Sequence, residues 1–211
     1  MQISQHQQWF IGALISGLGP FYDDGCLKMM IKCEVRGSQG RYQFQLINSG
    51  NTTINDLKID LVDSSNFLRF EAAPLASSLA AQANVVASFM VECMKPAFPG
   101  PQLKVTYTES NLGVRNNQVP VPILSSSFNE PLAFPANDFM AKWNQLSQPA
   151  MQVQEVVKCP RGVVPANITR AFIQGMKFGQ ISGIPDESET VVYGASTLRT
   201  GSIGPNNEKM S

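Results

Sequence analysis

The chain has 211 residues, 43% of them apolar, with 16 basic and 16 acidic side chains and no run of Lys or Arg. That length and apolar share suit one large domain or two small ones with real cores. The sparse, balanced charge argues against nucleic-acid and anionic-membrane partners, both of which call for a basic patch.

Residues 1–20 (MQISQHQQWFIGALISGLGP) begin polar and turn apolar without strand alternation, so they read as an N-terminal extension or poorly ordered lead-in. The apolar part, residues 9–19, is too short to span a bilayer and lacks the basic flank of a secretory signal. From Leu27 the period switches to two: Leu27, Met29, Ile31, Cys33 and Val35 share one face, with Lys28, Lys32 and Glu34 opposite. The alternation returns at Tyr42–Phe44–Leu46, Leu57–Ile59–Leu61, Val85 to Cys93, Leu103–Val105–Tyr107 and Val119–Val121–Ile123. Gly, Pro, Ser and Asn punctuate the gaps. Short half-buried strands at this spacing predict an antiparallel β-sandwich of immunoglobulin type over residues 21–124, without the antibody Cys–Trp–Cys core.

The style changes near residue 125. Residues 125–135 read as a linker, and residues 136–146 (ANDFMAKWNQL) have helical spacing through Phe139, Trp143 and Leu146. Asn137 is placed to cap that helix, with Asp138 at the positive end of its dipole. A second helix is expected over residues 150–157, then strands over 168–178 and 190–198. Residues 136–211 thus form a second, small α+β subdomain.

Little in the sequence points to chemistry. The one histidine, His6, lies in the lead-in and leaves no base for a Ser-His-Asp or Cys-His arrangement. No phosphate loop, dinucleotide fingerprint or nucleophile elbow occurs. The acidic groups Asp23–Asp24 and residues 186–189 read as solvated loops. Cys26, Cys33, Cys93 and Cys159 show no C-x-x-C spacing. The sequons at Asn51 and Asn167 matter only in a secreted protein. The expectation is a reduced, cytosolic, non-enzymatic protein with no cofactor and no metal.

Residues 134–149 (FPANDFMAKWNQLSQP) resemble the start of the platform subdomain of the alpha-adaptin appendage, or ear, in a large subunit of a clathrin adaptor. The family pattern is an aromatic pair, two residues, Trp, then a polar step to Leu-Ser and Pro. The matches Tyr22-Asp23-Asp24-Gly25, Gly40-Arg41, Gly50-Asn51 and Ile168-Thr169-Arg170-Ala171 follow in the family's order, so the resemblance runs from about Gly19 to about Thr200. It implies an immunoglobulin-like sandwich joined to a platform with a Trp-centred pocket. Such an ear recruits endocytic accessory proteins through short acidic motifs containing Phe or Trp, peripherally at clathrin-coated pits of the plasma membrane. Other adaptor subunits are further partners if a trunk is present.

Carried over residue by residue, Trp143 takes the family's platform Trp, Phe139 the first aromatic of the pair and Met140 the second, where Met departs from the pattern. Lys142 is a candidate for the motif's acidic residue. The family's second groove, on the sandwich, uses an aromatic pair before Gly-Asn; here those positions are Asn48 and Ser49, so only Gly50 carries over. The family continues beyond Thr200 with strands and a helix that supply basic residues, so the platform reads as incomplete. The alternatives are a secreted or cell-surface immunoglobulin-like adhesion module, which requires disulfides, and the ear of a related COPI-type coat subunit.

Overall fold

Leu27, Met29 and Ile31 alternate with Lys28, Met30 and Lys32, burying one face of a strand and leaving the other toward solvent. In the computed structural model, which describes residues 4–111, 113–146, 165–184 and 191–201, that pattern builds two antiparallel sheets. The strands are β1 (Leu18–Asp23), β2 (Leu27–Arg36), β3 (Gln39–Asn48), β4 (Ile54–Val62), β5 (Leu68–Ala72), β6 (Asn84–Cys93), β7 (Gln102–Glu109) and β8 (Gly113–Pro120). One sheet runs in the order β1-β2-β3-β6-β5 and the other β4-β7-β8. The β2–β3 hairpin pairs Arg36 with Gln39 across a two-residue turn. Gly37 takes φ +58° there, the positive value that a tight hairpin turn favours.

The buried faces share one core. Met29, Phe44, Phe89 and Val91 come from the five-stranded sheet, and Leu57, Leu103, Val105 and Tyr107 from the three-stranded one. Phe44 lies 5.4 Å from the Phe21 ring and 5.8 Å from the Phe89 ring, centroid to centroid. Burying side chains of this size stabilises by about 1.5–3 kcal/mol each. The outer strand β8 buries none of its side chains; its polar run, Arg115 to Gln118, suits an exposed edge.

Two polar clasps tie loops to this core. The Asp24 carboxylate accepts hydrogen bonds from Tyr22 Oη (2.7 Å), Tyr107 Oη (2.6 Å) and the amides of Cys26 (3.0 Å) and Leu27 (2.8 Å). Asn48, fully buried, directs Nδ2 to the carbonyls of Thr52, Leu79 and Ala80 at 2.8–3.1 Å and accepts from Gly50 N at 3.0 Å. A buried amide with both ends satisfied holds its loops strongly, because losing a partner leaves a desolvated polar group.

The structure corrects the reading of residues 1–20. Residues 5–16 form helix α1 (Gln5–Ser16), and Leu18 opens β1, which pairs with β2. The start signal is a capping box: Ser4 Oγ accepts from Gln7 N while Gln7 Oε1 accepts from Ser4 N. Gly17, at φ +70°, ends the helix in the left-handed conformation. The helix escaped the periodicity test because its polar and apolar residues are split by halves along the chain rather than by face.

The described residues divide into two compact units: residues up to Phe128 with those from Leu198 onward, and Asn129–Thr197. Phe128, within the stretch read as a linker, is buried in the sandwich core, 5.9 Å from the Phe67 ring. Arg199 N donates to Phe128 O (3.1 Å) and Gly201 N to Cys93 O (2.7 Å), so the late chain is held in the sandwich unit. The second unit holds helices α2 (Ala136–Gln145) and α3 (Pro165–Gly175) and a sheet ordered β10-β11-β9, from β9 (Asn129–Pro131), β10 (Gly179–Ile181) and β11 (Tyr193–Leu198). The fold is an antiparallel β-sandwich followed by a small α+β subdomain.

A second correction falls here: the strand expected over residues 168–178 is mostly helix α3. β-branched Ile168 and Thr169 favour the strand reading, but Pro165 at the first helical position is a start signal, and Thr169 and the buried Ile173 have helical spacing. The helix expected over residues 150–157 and Cys159 lie outside the described residues.

Candidate functional site

The site is built on α2. Phe139 and Trp143 stand one turn apart, and Phe139 N donates to Pro135 O at 2.9 Å in the first turn. Asp138 near the start and Lys142 near the end complement the helix dipole. The cap differs from expectation: Pro135 holds the N-cap position with no side-chain hydrogen bond, and Asn137 lies inside the helix. Proline fixes the entry angle by itself, so no capping side chain is needed to start the turn.

The two aromatic positions divide their duties. Phe139 is 7% exposed and anchors the helix, whereas Trp143 is 49% exposed. Their rings stack at 5.7 Å with an interplanar angle of 26°. Tyr193 of β11 completes the cluster, edge-on to Phe139 at 5.7 Å and to Trp143 at 6.5 Å. The indole is thus stacked on one ring and met edge-on by another, while much of its surface meets solvent. Large exposed aromatics on a rigid backing are typical anchors for a partner's ring. Met140 is half-buried beside Phe139, and Lys142 and Leu146 are exposed on the same helix.

Tyr193 was missed in the sequence because no short-range pattern ties a strand tyrosine to a helix so far upstream. The fold makes that connection. Tyr193 pairs with the buried Ile181 of β10, and the next residue, Gly194, leaves room for α3: a Cβ there would lie only 3.1 Å from Ile173 and 3.2 Å from Phe178. Ile173 of α3 therefore packs closely on β11 at Gly194, the residue after Tyr193.

Gly50 belongs to the other unit. It lies in the Asn48 clasp, its amide donating to Asn48 Oδ1 and its carbonyl accepting from Gln82 Nε2 at 3.0 Å. Asn48, where the resembling family has an aromatic, is a buried structural amide. Among the described residues no group of three or more His, Cys, Asp or Glu side chains is arranged to hold a metal ion. No described helix is long and apolar enough to cross a membrane.

Comparison with known proteins locates the whole assembly. The family model "Adaptin C-terminal domain" matches residues 18–125, and "Alpha adaptin AP2, C-terminal domain" matches residues 127–206. The chain is 21% identical over 174 residues to the AP-2 complex subunit alpha-2 of Dictyostelium discoideum, covering 82% of this chain and 17% of that protein. It is 25% identical over 160 residues to the AP-2 complex subunit alpha-1 of Arabidopsis thaliana, covering 73% and 15%. The chain thus spans less than a fifth of the length of the curated relatives it matches. Among solved structures it is similar to the GAE domain of GGA2p from Saccharomyces cerevisiae, with TM-score 0.43 and 14% identity over 51% of this chain and 98% of that one. The chain belongs to the adaptin C-terminal domain family, and within it to the alpha-adaptin ear domains.

Proposed function

We propose that this chain is a non-enzymatic peptide-binding appendage of a clathrin adaptor, recruiting accessory proteins to the cytoplasmic coat in vesicle transport and endocytosis. The observation that carries the reading is the half-exposed Trp143 indole stacked on buried Phe139 and flanked by Tyr193. A Phe or Trp ring from a short disordered motif packs on that surface, with the Met140 thioether as an adaptable neighbour. Such motifs bind weakly one at a time, because ordering them consumes much of the interaction energy. Several on one partner act together through effective concentration. Lys142 is a candidate for the motif's acidic residue, Gly50 for a second groove on the sandwich, and plasma-membrane coated pits for the location. Membership in the alpha-adaptin family favours this reading over an adhesion module or a COPI-type ear. So do the free thiols of Cys26 and Cys93.

The test is calorimetric titration of Phe-x-Asp-x-Phe and Asp-Pro-Trp peptides into the parent protein and into Trp143→Ala. The reading predicts micromolar to sub-millimolar binding that the substitution abolishes without unfolding the protein. Equal binding by both proteins contradicts it.

A further inference from the structure

Strand β5 closes one end of the five-stranded sheet, and no described strand pairs with its outer side. Its sequence, Leu68-Arg69-Phe70-Glu71-Ala72, leaves every side chain but that of Leu68 exposed. At the two ends of the strand, Met94 N donates to Phe67 O (2.8 Å) and Ala73 N to Ser88 O (2.9 Å). An antiparallel ladder bonds through every second residue, so Arg69 and Glu71 turn their backbone groups to β6. Leu68, Phe70 and Ala72 therefore turn theirs to the open edge. The Leu68 amide accordingly donates to Asp63 Oδ2 at 2.7 Å rather than to β6. Open edges are commonly blunted by proline, bulges or like charges. β1 carries Pro20 and a register shift beside it, and β4 is shifted between Asn55 and Lys58. β8 has Arg115 as its one charged side chain. β5 instead carries one charge of each sign, placed evenly about Phe70.

We propose that β5 pairs antiparallel with β5 of a second copy of this chain, about a two-fold axis through Phe70. That register sets Arg69 of each copy across from Glu71 of the other, Leu68 across from Ala72, and the two Phe70 residues across from each other. The outward backbone groups then match as well. The Phe70 residues exchange both of their N–H···O=C bonds, and each Ala72 N–H meets Leu68 O of the other copy. Phe70 lies on the core-facing side with its β6 partner, the buried Val91, so the two rings join the edges of two cores. Arg69 and Glu71 lie on the opposite face, giving two ion pairs across the axis. Arg69 already pairs with Glu92 within its own chain, and its five N–H donors serve both carboxylates. A two-fold contact of this kind closes at two copies. Five residues from each copy make a small interface, so the association is weak and reversible. The contact belongs to the sandwich unit and does not depend on the peptide-binding reading.

The experiment is sedimentation velocity of the full chain from about 5 to 500 µM, a range suited to weak interfaces. The parent should move from monomer to dimer with rising concentration and go no further. Glu71→Arg and Arg69→Glu each set like charges across the axis and should weaken dimerisation roughly tenfold. An equimolar mixture of those two variants pairs opposite signs again and should recover the parental association. Phe70→Pro removes the central donor and should leave monomer, while the outward direction of that N–H spares the β5–β6 ladder. Should Phe70→Pro fail to fold, the charge variants and their mixture still decide. A parent that stays monomeric throughout, species that grow beyond the dimer, or a mixture that associates no better than its two components overturns the proposal.

Discussion

Trp143 and Tyr193 meet edge to face, their ring centroids 6.5 Å apart at 84°, although one comes from a helix and the other from a strand far downstream. Each has a different hold on the fold. Trp143 is anchored through its stack on Phe139, and Tyr193 through its pairing with Ile181 in the sheet.

That division predicts unequal costs within one helix. Phe139→Ala removes a buried ring and should destabilise the second unit by about 3–5 kcal/mol, whereas Trp143→Ala should cost about 1 kcal/mol. Thermal unfolding monitored by circular dichroism separates the two. A Trp143→Ala loss as large as that of Phe139→Ala would show the indole to be core rather than surface.

The Asp24 clasp predicts an acid limb in the stability of the sandwich. Burial works to raise the Asp24 pKa, but hydrogen bonds from Tyr107, the Leu27 amide, Tyr22 and the Cys26 amide outweigh it and hold the pKa below the usual carboxylate value. A depressed folded pKa contributes stability that is fully present above the unfolded value, about 3.9, and is lost as pH falls through the folded one. Urea melts should therefore be flat between about pH 5 and 7 and fall below about pH 4. Asp24→Asn should cost roughly 1–3 kcal/mol at pH 7 and flatten the acid limb. An unchanged acid limb in the variant would place the titrating group elsewhere.

Asn48 gives a prediction that depends on its complete satisfaction. Asn48→Ala strands the amide of Gly50 and takes the side-chain bond from the carbonyls of Thr52, Leu79 and Ala80, of which Leu79 O keeps Ile54 N and Ala80 O keeps Ala83 N, and should cost about 2–4 kcal/mol. Hydrogen exchange should rise first at the amides of residues 48–50. Unaltered protection there would mean that the backbone hydrogen bonds of Asn48 and Ser49 hold the turn without the side chain.

Thiol chemistry follows from burial. Cys26 and Cys93 carry free thiols, and burial pushes the Cys93 thiol up to about 11 and that of Cys26 upward as well. Both thiols should react with a thiol-specific reagent far more slowly in native protein at pH 7.5 than in urea. Fast native labelling of Cys93 would contradict its placement in the core.

Much of this architecture was legible from alternation alone, and the gaps share a physical cause. Strands β2, β3, β4, β6 and β7 bury alternate apolar residues, so their period shows in the sequence. Strand β5 buries only Leu68, and β8 buries no side chain, so edge position hides both. At the site, Phe139 and Trp143 could be read from helical spacing, and the exposure of Trp143 followed only from the family resemblance. Tyr193 joins that surface through tertiary packing of β11, which no local pattern encodes.

The most direct test of the peptide-anchor account uses the indole Nε1–H resonances of the two tryptophans, Trp9 and Trp143, assigned with Trp143→Phe. On addition of a Phe-x-Asp-x-Phe peptide, the Trp143 signal should shift progressively and saturate, while that of Trp9, in the separate sandwich unit, stays in place. A titration in which peptide binds but the Trp143 resonance does not move would contradict the account.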